Sequence, residues 1–223
     1  MCFAPYVSIS TFTIEFLLAF YFLLTKPKDR LHQVVALLTL LLGVYQLNEF
    51  LICTTQQGVF TRLAMITTAI LPAIGISLAL IMARKRIGYY WHLLIYVPAA
   101  FFIVMFSVIR PYADSAVCRT VFIEYPGTGL LGDFYGLYYL VYIAGAAILF
   151  YLFSQQAKRK EEKIILNLGM LGMGIFTIPT FIFLIFLPAF KTQFPSVLCE
   201  FALLLAIELI VLLWYKERHG VAY

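Results

Sequence analysis

Apolar residues run along this chain in long blocks, and charge, proline and glycine collect in the short stretches between them. The blocks cover roughly Tyr6–Thr25, Val34–Thr54, Arg62–Ala83, Tyr90–Ile109, Phe134–Ser154, Ile164–Pro188 and Ser196–Tyr215. Each is about 20 residues, the length a helix needs to cross ~30 Å of hydrocarbon at 1.5 Å per residue. None alternates apolar and polar residues with a period of two, which excludes a membrane β-barrel. The pattern predicts an all-α, polytopic membrane protein, a bundle of seven transmembrane helices forming one domain over 1–223. The last block ends near Tyr215, so no appended soluble module is expected. The N-terminus lacks the basic region and small-residue site of a cleavable signal.

One block breaks the rule of apolarity. Val44-Tyr45-Gln46-Leu47-Asn48-Glu49-Phe50-Leu51-Ile52-Cys53 places Gln, Asn and Glu within a turn of one another inside the second span. A carboxylate at the centre of a membrane helix costs roughly 2.5 kcal/mol or more. Gln46, Glu49 and Cys53 fall at i, i+3, i+7 and share a face, with Tyr45 beside it. That face is expected to look into the bundle.

The connectors orient the chain. Lys26, Lys28 and Arg30 follow span one, and Arg84, Lys85 and Arg86 follow span three. Lys158, Arg159, Lys160 and Lys163 follow span five, and Lys216 and Arg218 follow span seven. Of the 16 basic residues, only Arg62, Arg110, Arg119 and Lys191 fall on the other side. The positive-inside rule then puts the N-terminus outside and the C-terminus inside. Trp91 and Trp214 stand at span ends, as interfacial anchors do. Composition agrees: of 223 residues, 63% are hydrophobic and 12% charged, with a mean hydropathy of +0.95. The net charge of +5 follows from topology and does not imply a nucleic-acid partner. The longest connector, about Arg110 to Asp133, holds Pro111, Pro126, Gly127, Gly129 and Gly132, and is expected to be an irregular external lid. Gly169, Gly172 and Gly174 in span six, and Ala144, Gly145, Ala146 and Ala147 in span five, permit close helix contacts. Pro72, Pro98 and Pro179 lie inside spans three, four and six.

Within the spans stand four carboxylates, Glu15, Glu49, Glu200 and Glu208, with no lysine, and no arginine but Arg62 at the very start of span three, to neutralise them. Glu49 and Glu200 lie about one turn below the outer surface, and Glu15 and Glu208 near mid-membrane. Such groups must be neutral and hydrogen-bonded, bound to a cation, or part of a ligand pocket. Bridging partners would be Gln46, Asn48, Asn167 or a tyrosine. Tyr135, Tyr138, Tyr139 and Tyr142 recur at i, i+3, i+4, i+7 and form one aromatic face, suited to packing, to an interfacial belt or to lining a pocket.

All four cysteines, Cys2, Cys53, Cys118 and Cys199, fall at or near the predicted outer face. An oxidising compartment favours disulfides, and four cysteines allow three pairings. A Cys53–Cys118 bridge would tie the lid to span two. The rival expectation is a Cu or Zn site of Cys2 and Cys199 with Glu49 or Glu200. If Met1 is removed, Cys2 also offers a free amine.

Several chemistries are disfavoured. A retinal Schiff base needs a lysine inside a span. The seven-helix metal-dependent lipid hydrolases need several intramembrane histidines, whereas this chain has only His32, His92 and His219, near the inner span ends. No nucleophile elbow, phosphate loop or di-acidic metal motif occurs.

Met1-Cys2-Phe3-Ala4 resembles the Met-Cys-Phe-Ser opening of an uncharacterised bacterial multi-pass membrane family. Gln46-Leu47-Asn48-Glu49 resembles its Gln-Leu-x-Glu in the second helix, and Ser196-Val197-Leu198-Cys199 its Ser-Val-Trp-Cys near the start of the last. The chain departs from that pattern at Ala4, Phe50, Leu198 and Glu200. The resemblance implies that Cys2, Gln46, Glu49 and Cys199 belong to one site, and implies no activity. More loosely, the topology is similar to the seven-helix sensor region of some histidine kinases.

The expectation is therefore a protein of a bacterial cytoplasmic membrane with an outward-facing polar pocket built from Gln46, Asn48, Glu49, Glu200, Tyr138, Tyr142, Glu15 and Glu208. It would bind a small ligand or metal ion as a receptor-like or sensory protein, with a cytoplasmic protein partner or a second copy as further partners. A receptor predicts a closed inner half. The alternatives are a metal, small-molecule or proton-coupled transporter, with a polar path running inward through Glu15 and Glu208, and a thiol or metal enzyme.

Overall fold

A computed structural model describes residues 5–85, 88–108, 116–118, 123–125, 129–186 and 201–221. It is all-α apart from one tiny hairpin. Seven helices stand among the described residues: α1 Pro5–Thr25, α2 Arg30–Thr55, α3 Gly58–Met82, α4 Tyr89–Val108, α5 Gly129–Gln156, α6 Lys160–Phe186 and α7 Ala202–Arg218. Strands β1 Val117–Cys118 and β2 Ile123–Glu124 pair antiparallel between α4 and α5. The first six helices are long and apolar enough to cross a membrane. The described part of α7 has 17 residues, short of the usual spanning length of about 20. The start of the predicted seventh span, from Ser196, lies outside the described residues.

The helices overrun the apolar blocks because polar residues cap them. Asp29 ends the Lys26–Asp29 turn and its carboxylate accepts from the Leu31 amide at 2.9 Å, so α2 begins four residues before its first predicted apolar position. Gln56 takes a left-handed conformation (φ 55°) and its amide returns to the Ile52 carbonyl, closing α2 and letting α3 start at once. Arg84, at φ 53°, ends α3 in a Schellman motif: its amide reaches Ile81 and the Lys85 amide reaches Leu80. Gly220 does the same for α7, with its own amide on Glu217 and Val221 on Lys216. The predicted lid is shorter than expected, because Gly129, Gly132 and Asp133 already belong to α5.

α3 is the hub and packs on α2, α4, α5 and α6; α7 packs on α6 and touches α1 and α2. The rim is apolar and open. Leu17, Phe20 and Tyr21 on α1, and Leu93, Leu94 and Val104 on α4, are exposed. Water would not tolerate patches of that extent, whereas hydrocarbon does. Trp91 and Trp214 are exposed as well.

Small residues bring helices close, at particular positions only. A Cβ on Gly169 would meet the ring of Phe150 at 2.6 Å, so α5 and α6 nearly touch there. Gly145 faces open space, and Gly174 meets only Ile178 of its own helix. Those two glycines do not serve the packing expected of them.

Candidate functional site

The end of the bundle carrying the β-hairpin gathers the polar face of α2. Gln46, Asn48 and Glu49 are all buried there. The Tyr45 hydroxyl donates to Glu49 Oε1 at 2.9 Å and stands 3.3 Å from the Tyr125 hydroxyl. Tyr125 follows β2 and is fully buried. It closes over the Tyr45–Glu49 pair like a stopper, a role its place in an irregular connector did not suggest. The disulfide joins Cys53 to Cys118, with Cα atoms 5.8 Å apart, and fastens β1 to the end of α2. Asn48 donates to the Val44 carbonyl of its own helix at 2.8 Å.

Cys2, Cys199 and Glu200 lie outside the described residues, so of the expected metal ligands only Glu49 is placed. Among the described residues no group of three or more His, Cys, Asp or Glu is arranged to hold a metal ion.

The tyrosine face of α5 binds helices. Tyr135 donates to the Thr68 hydroxyl at 2.8 Å, Tyr138 to the Ala69 carbonyl at 2.8 Å and Tyr142 to the Ile95 carbonyl at 3.1 Å. The carbonyls that Pro72 and Pro98 leave without an amide are those four residues before them, Thr68 and Leu94. The tyrosine bonds go to the neighbouring carbonyls and tie α5 to α3 and α4. Below them, Tyr139, Leu42, Pro72, Gly75 and Met173 line a cavity of about 30 Å³. Organic ligand pockets are on the order of ten times larger.

Glu15 and Glu208 stand apart from both groups, near the middles of α1 and α7. Glu15 is 0% exposed and Glu208 6% exposed. Neither oxygen of either carboxyl has a hydrogen-bond partner among the described residues, and the Arg62 Nε is the other buried atom left so. Each carboxyl rests on a glycine of the next helix. A Cβ on Gly43 of α2 would lie 3.3 Å from Glu15 Cβ and 3.5 Å from its Oε2, and one on Gly172 of α6 would lie 2.6 Å from Glu208 Oε2. A methyl at Gly172 would press on the Glu208 carboxyl, whereas one at Gly43 would crowd the Glu15 Cβ and only touch its carboxyl.

The opposite end, which carries most of the basic residues, holds a charged cluster that the sequence did not reveal. Lys216 of α7 is 3% exposed and its ammonium contacts the Asp29 carboxylate and lies 3.4 Å from His32 Nδ1. The other ring nitrogen of His32 lies 3.1 Å from Glu217 Oε1, which also meets the Lys26 ammonium at 3.2 Å. Five side chains from the α1–α2 turn and the end of α7 thus close this end of the bundle. Asp29 and His32 are visible in the sequence as an i, i+3 pair, but Lys216 and Glu217 come from the far end of the chain.

No family model matches the chain, and no match was found among curated proteins or among solved structures. The class rests on the fold alone: an all-α bundle with six helices long and apolar enough to cross a membrane.

Proposed function

We propose that the chain is a seven-span protein of a bacterial cytoplasmic membrane that takes up a proton or a small cation at Glu15 and Glu208, in the manner of a proton-coupled carrier. The hairpin end would face outward and the basic end inward, as the positive-inside rule requires. The observation that carries this reading is the pair of buried carboxyls whose four oxygens lack hydrogen-bond partners among the described residues. In hydrocarbon a bare carboxylate is untenable, so each group must hold a proton or meet a cation. An intramembrane acid on a helix–helix seam is where a transported proton would bind, because gaining or losing charge there changes how the helices pack.

A second reading, a receptor-like or sensory protein, is favoured by a different observation. The hairpin is stapled over Tyr45 and Glu49, and the Asp29–His32–Lys216–Glu217 cluster shuts the other end. That arrangement suits a binding protein with a closed inner half, acting through a cytoplasmic partner or a second copy. Its ligand would be a small molecule, or Cu or Zn held by thiolates such as Cys2 and Cys199.

The test is full-length protein reconstituted in vesicles containing a pH-sensitive dye, with infrared difference spectra recorded on a pH jump. Carboxyl bands that titrate and vanish in Glu15→Gln and Glu208→Gln, together with proton uptake lost in both, are expected. Bands unmoved by pH, with no uptake, would exclude the carrier. Stoichiometric Cu or Zn lost on Cys199→Ser would establish a metal site and count against Glu15 and Glu208 as the only place of binding.

A further inference from the structure

At the basic end, beside the α1–α7 cluster, the C-terminal ends of α3 and α5 and the start of α6 enclose a cleft of about 400 Å³. Its wall includes Met82 and Leu166, which are buried, and Phe153. Its lining carries Arg84, Lys85, Lys158 and Arg159 against a single carboxylate, Glu162. The basic groups come from two connectors far apart in sequence, so their convergence is a property of the fold and not of one charged run.

Local structure fixes them there. The Schellman motif places Arg84 in the left-handed position where glycine is usual, and sets Arg84 and Lys85 side by side at the rim. Glu162 reaches Arg84 at 3.2 Å, and the Lys85 ammonium lies 5.8 Å from the centre of the Phe153 ring. Lys158 and Arg159 are exposed and make no ion pair among the described residues. The cleft therefore holds more positive charge than its own carboxylate answers. Away from it, α5 and α6 continue with exposed Ile148, Leu152 and Leu171. A basic cleft above an apolar flank matches a molecule with an anionic head and hydrocarbon tails.

We propose that this cleft binds a phosphate group, and that the phosphate belongs to an anionic phospholipid. Arg84 and Arg159 would supply planar, forked donors and Lys85 and Lys158 point charges, the mixture that phosphate oxygens accept. The acyl chains would lie along α5 and α6. The site is independent of the carboxyls at mid-bundle and of which reading of them holds.

The experiment is native mass spectrometry of the detergent-purified full chain with added phosphatidylglycerol or phosphatidylcholine, and with inorganic phosphate as competitor. Wild-type protein is expected to retain phosphatidylglycerol in preference. Lys158→Gln combined with Arg159→Gln should weaken that retention roughly tenfold, with helical content unchanged by circular dichroism. Lys28→Gln, an exposed basic residue at the same end but outside the cleft, should leave it unaltered. Equal losses in the Lys28 variant and the cleft variant would overturn the site, as would equal retention of both lipids with no phosphate binding. Phosphate binding with no preference between the lipids would overturn the lipid assignment in favour of a soluble phosphate.

Discussion

The Tyr138 hydroxyl on α5 donates to the Ala69 carbonyl on α3, 2.8 Å away and three residues before Pro72. The bond ties α5 to α3. Tyr138→Phe should therefore lower stability by about 1 kcal/mol, the usual size of one interhelical hydrogen bond in a membrane protein. The carbonyl that Pro72 leaves without an amide is that of Thr68, four residues before it, so Pro72→Ala should leave the cost of Tyr138→Phe unchanged. Thermal unfolding of the four proteins in detergent completes the cycle. A cost that disappears in the Pro72→Ala background would show that the hydroxyl answers the proline.

Asp29 has two tasks, capping α2 through the Leu31 amide and facing the buried Lys216 ammonium. Asp29→Asn keeps a capping oxygen and removes only the charge. It should destabilise by about 3 kcal/mol, because the buried Lys216 ammonium loses the Asp29 carboxylate. Adding Lys216→Met should recover most of the loss, since the ammonium that faced Asp29 is then gone. Failure of the second change to rescue the first would place the cost in the cap instead.

Glu217 sits at the exposed edge of the same cluster. Partial burial pushes its carboxyl up, but the hydrogen bond and charge of Lys26, followed by those of His32, outweigh it and hold the pKa below the ordinary value of 4.5. A group lowered on folding contributes stability that is whole above its unfolded value and is lost as pH falls through the folded one. Wild-type protein should thus lose stability below about pH 4.5, more steeply than Glu217→Gln, and the two curves should converge in acid. Melting temperatures recorded across that range decide it. Parallel curves would mean that the Lys26 and His32 contacts add nothing.

What could be read from the sequence is what the bilayer imposes locally. Span lengths follow from hydrocarbon thickness, so the apolar blocks locate all six long helices to within a few residues at most ends. The buried face of α2 follows from the cost of Gln46, Asn48 and Glu49 in lipid. Cys53–Cys118 was one of three pairings, and spacing had no power to select it. The rest depends on which side of each helix turns toward which neighbour, and helical periodicity is silent on that. Gly169 and Gly145 look alike in sequence, yet one lies against Phe150 and the other faces open space. The tyrosines of α5 are legible as a face, but their acceptors are a threonine hydroxyl and two backbone carbonyls on two other helices. Lys216 meets Asp29 only because α7 returns to the α1–α2 turn, a contact that no local pattern encodes.

Gly172 and Glu208 provide the closest test of the mid-bundle seam. A methyl at Gly172 would stand 2.6 Å from Glu208 Oε2 and 3.0 Å from Leu205 Cδ1, both shorter than side chains accept without moving. Gly172→Ala should therefore displace the carboxyl and cost about 1–3 kcal/mol, the range for overpacking a well-filled contact. In a Glu208→Ala background only the Leu205 contact at 3.0 Å remains, so the penalty should shrink. Gly145→Ala, which meets nothing, should be neutral or stabilising by up to about 1 kcal/mol through helix propensity. Thermal unfolding of these variants, with proton uptake measured alongside, separates packing from chemistry. A Gly172→Ala protein of normal stability and unchanged uptake would show that Glu208 does not rest on that glycine. Reduced uptake without instability would mean that the position of the carboxyl, and not merely its presence, governs proton access.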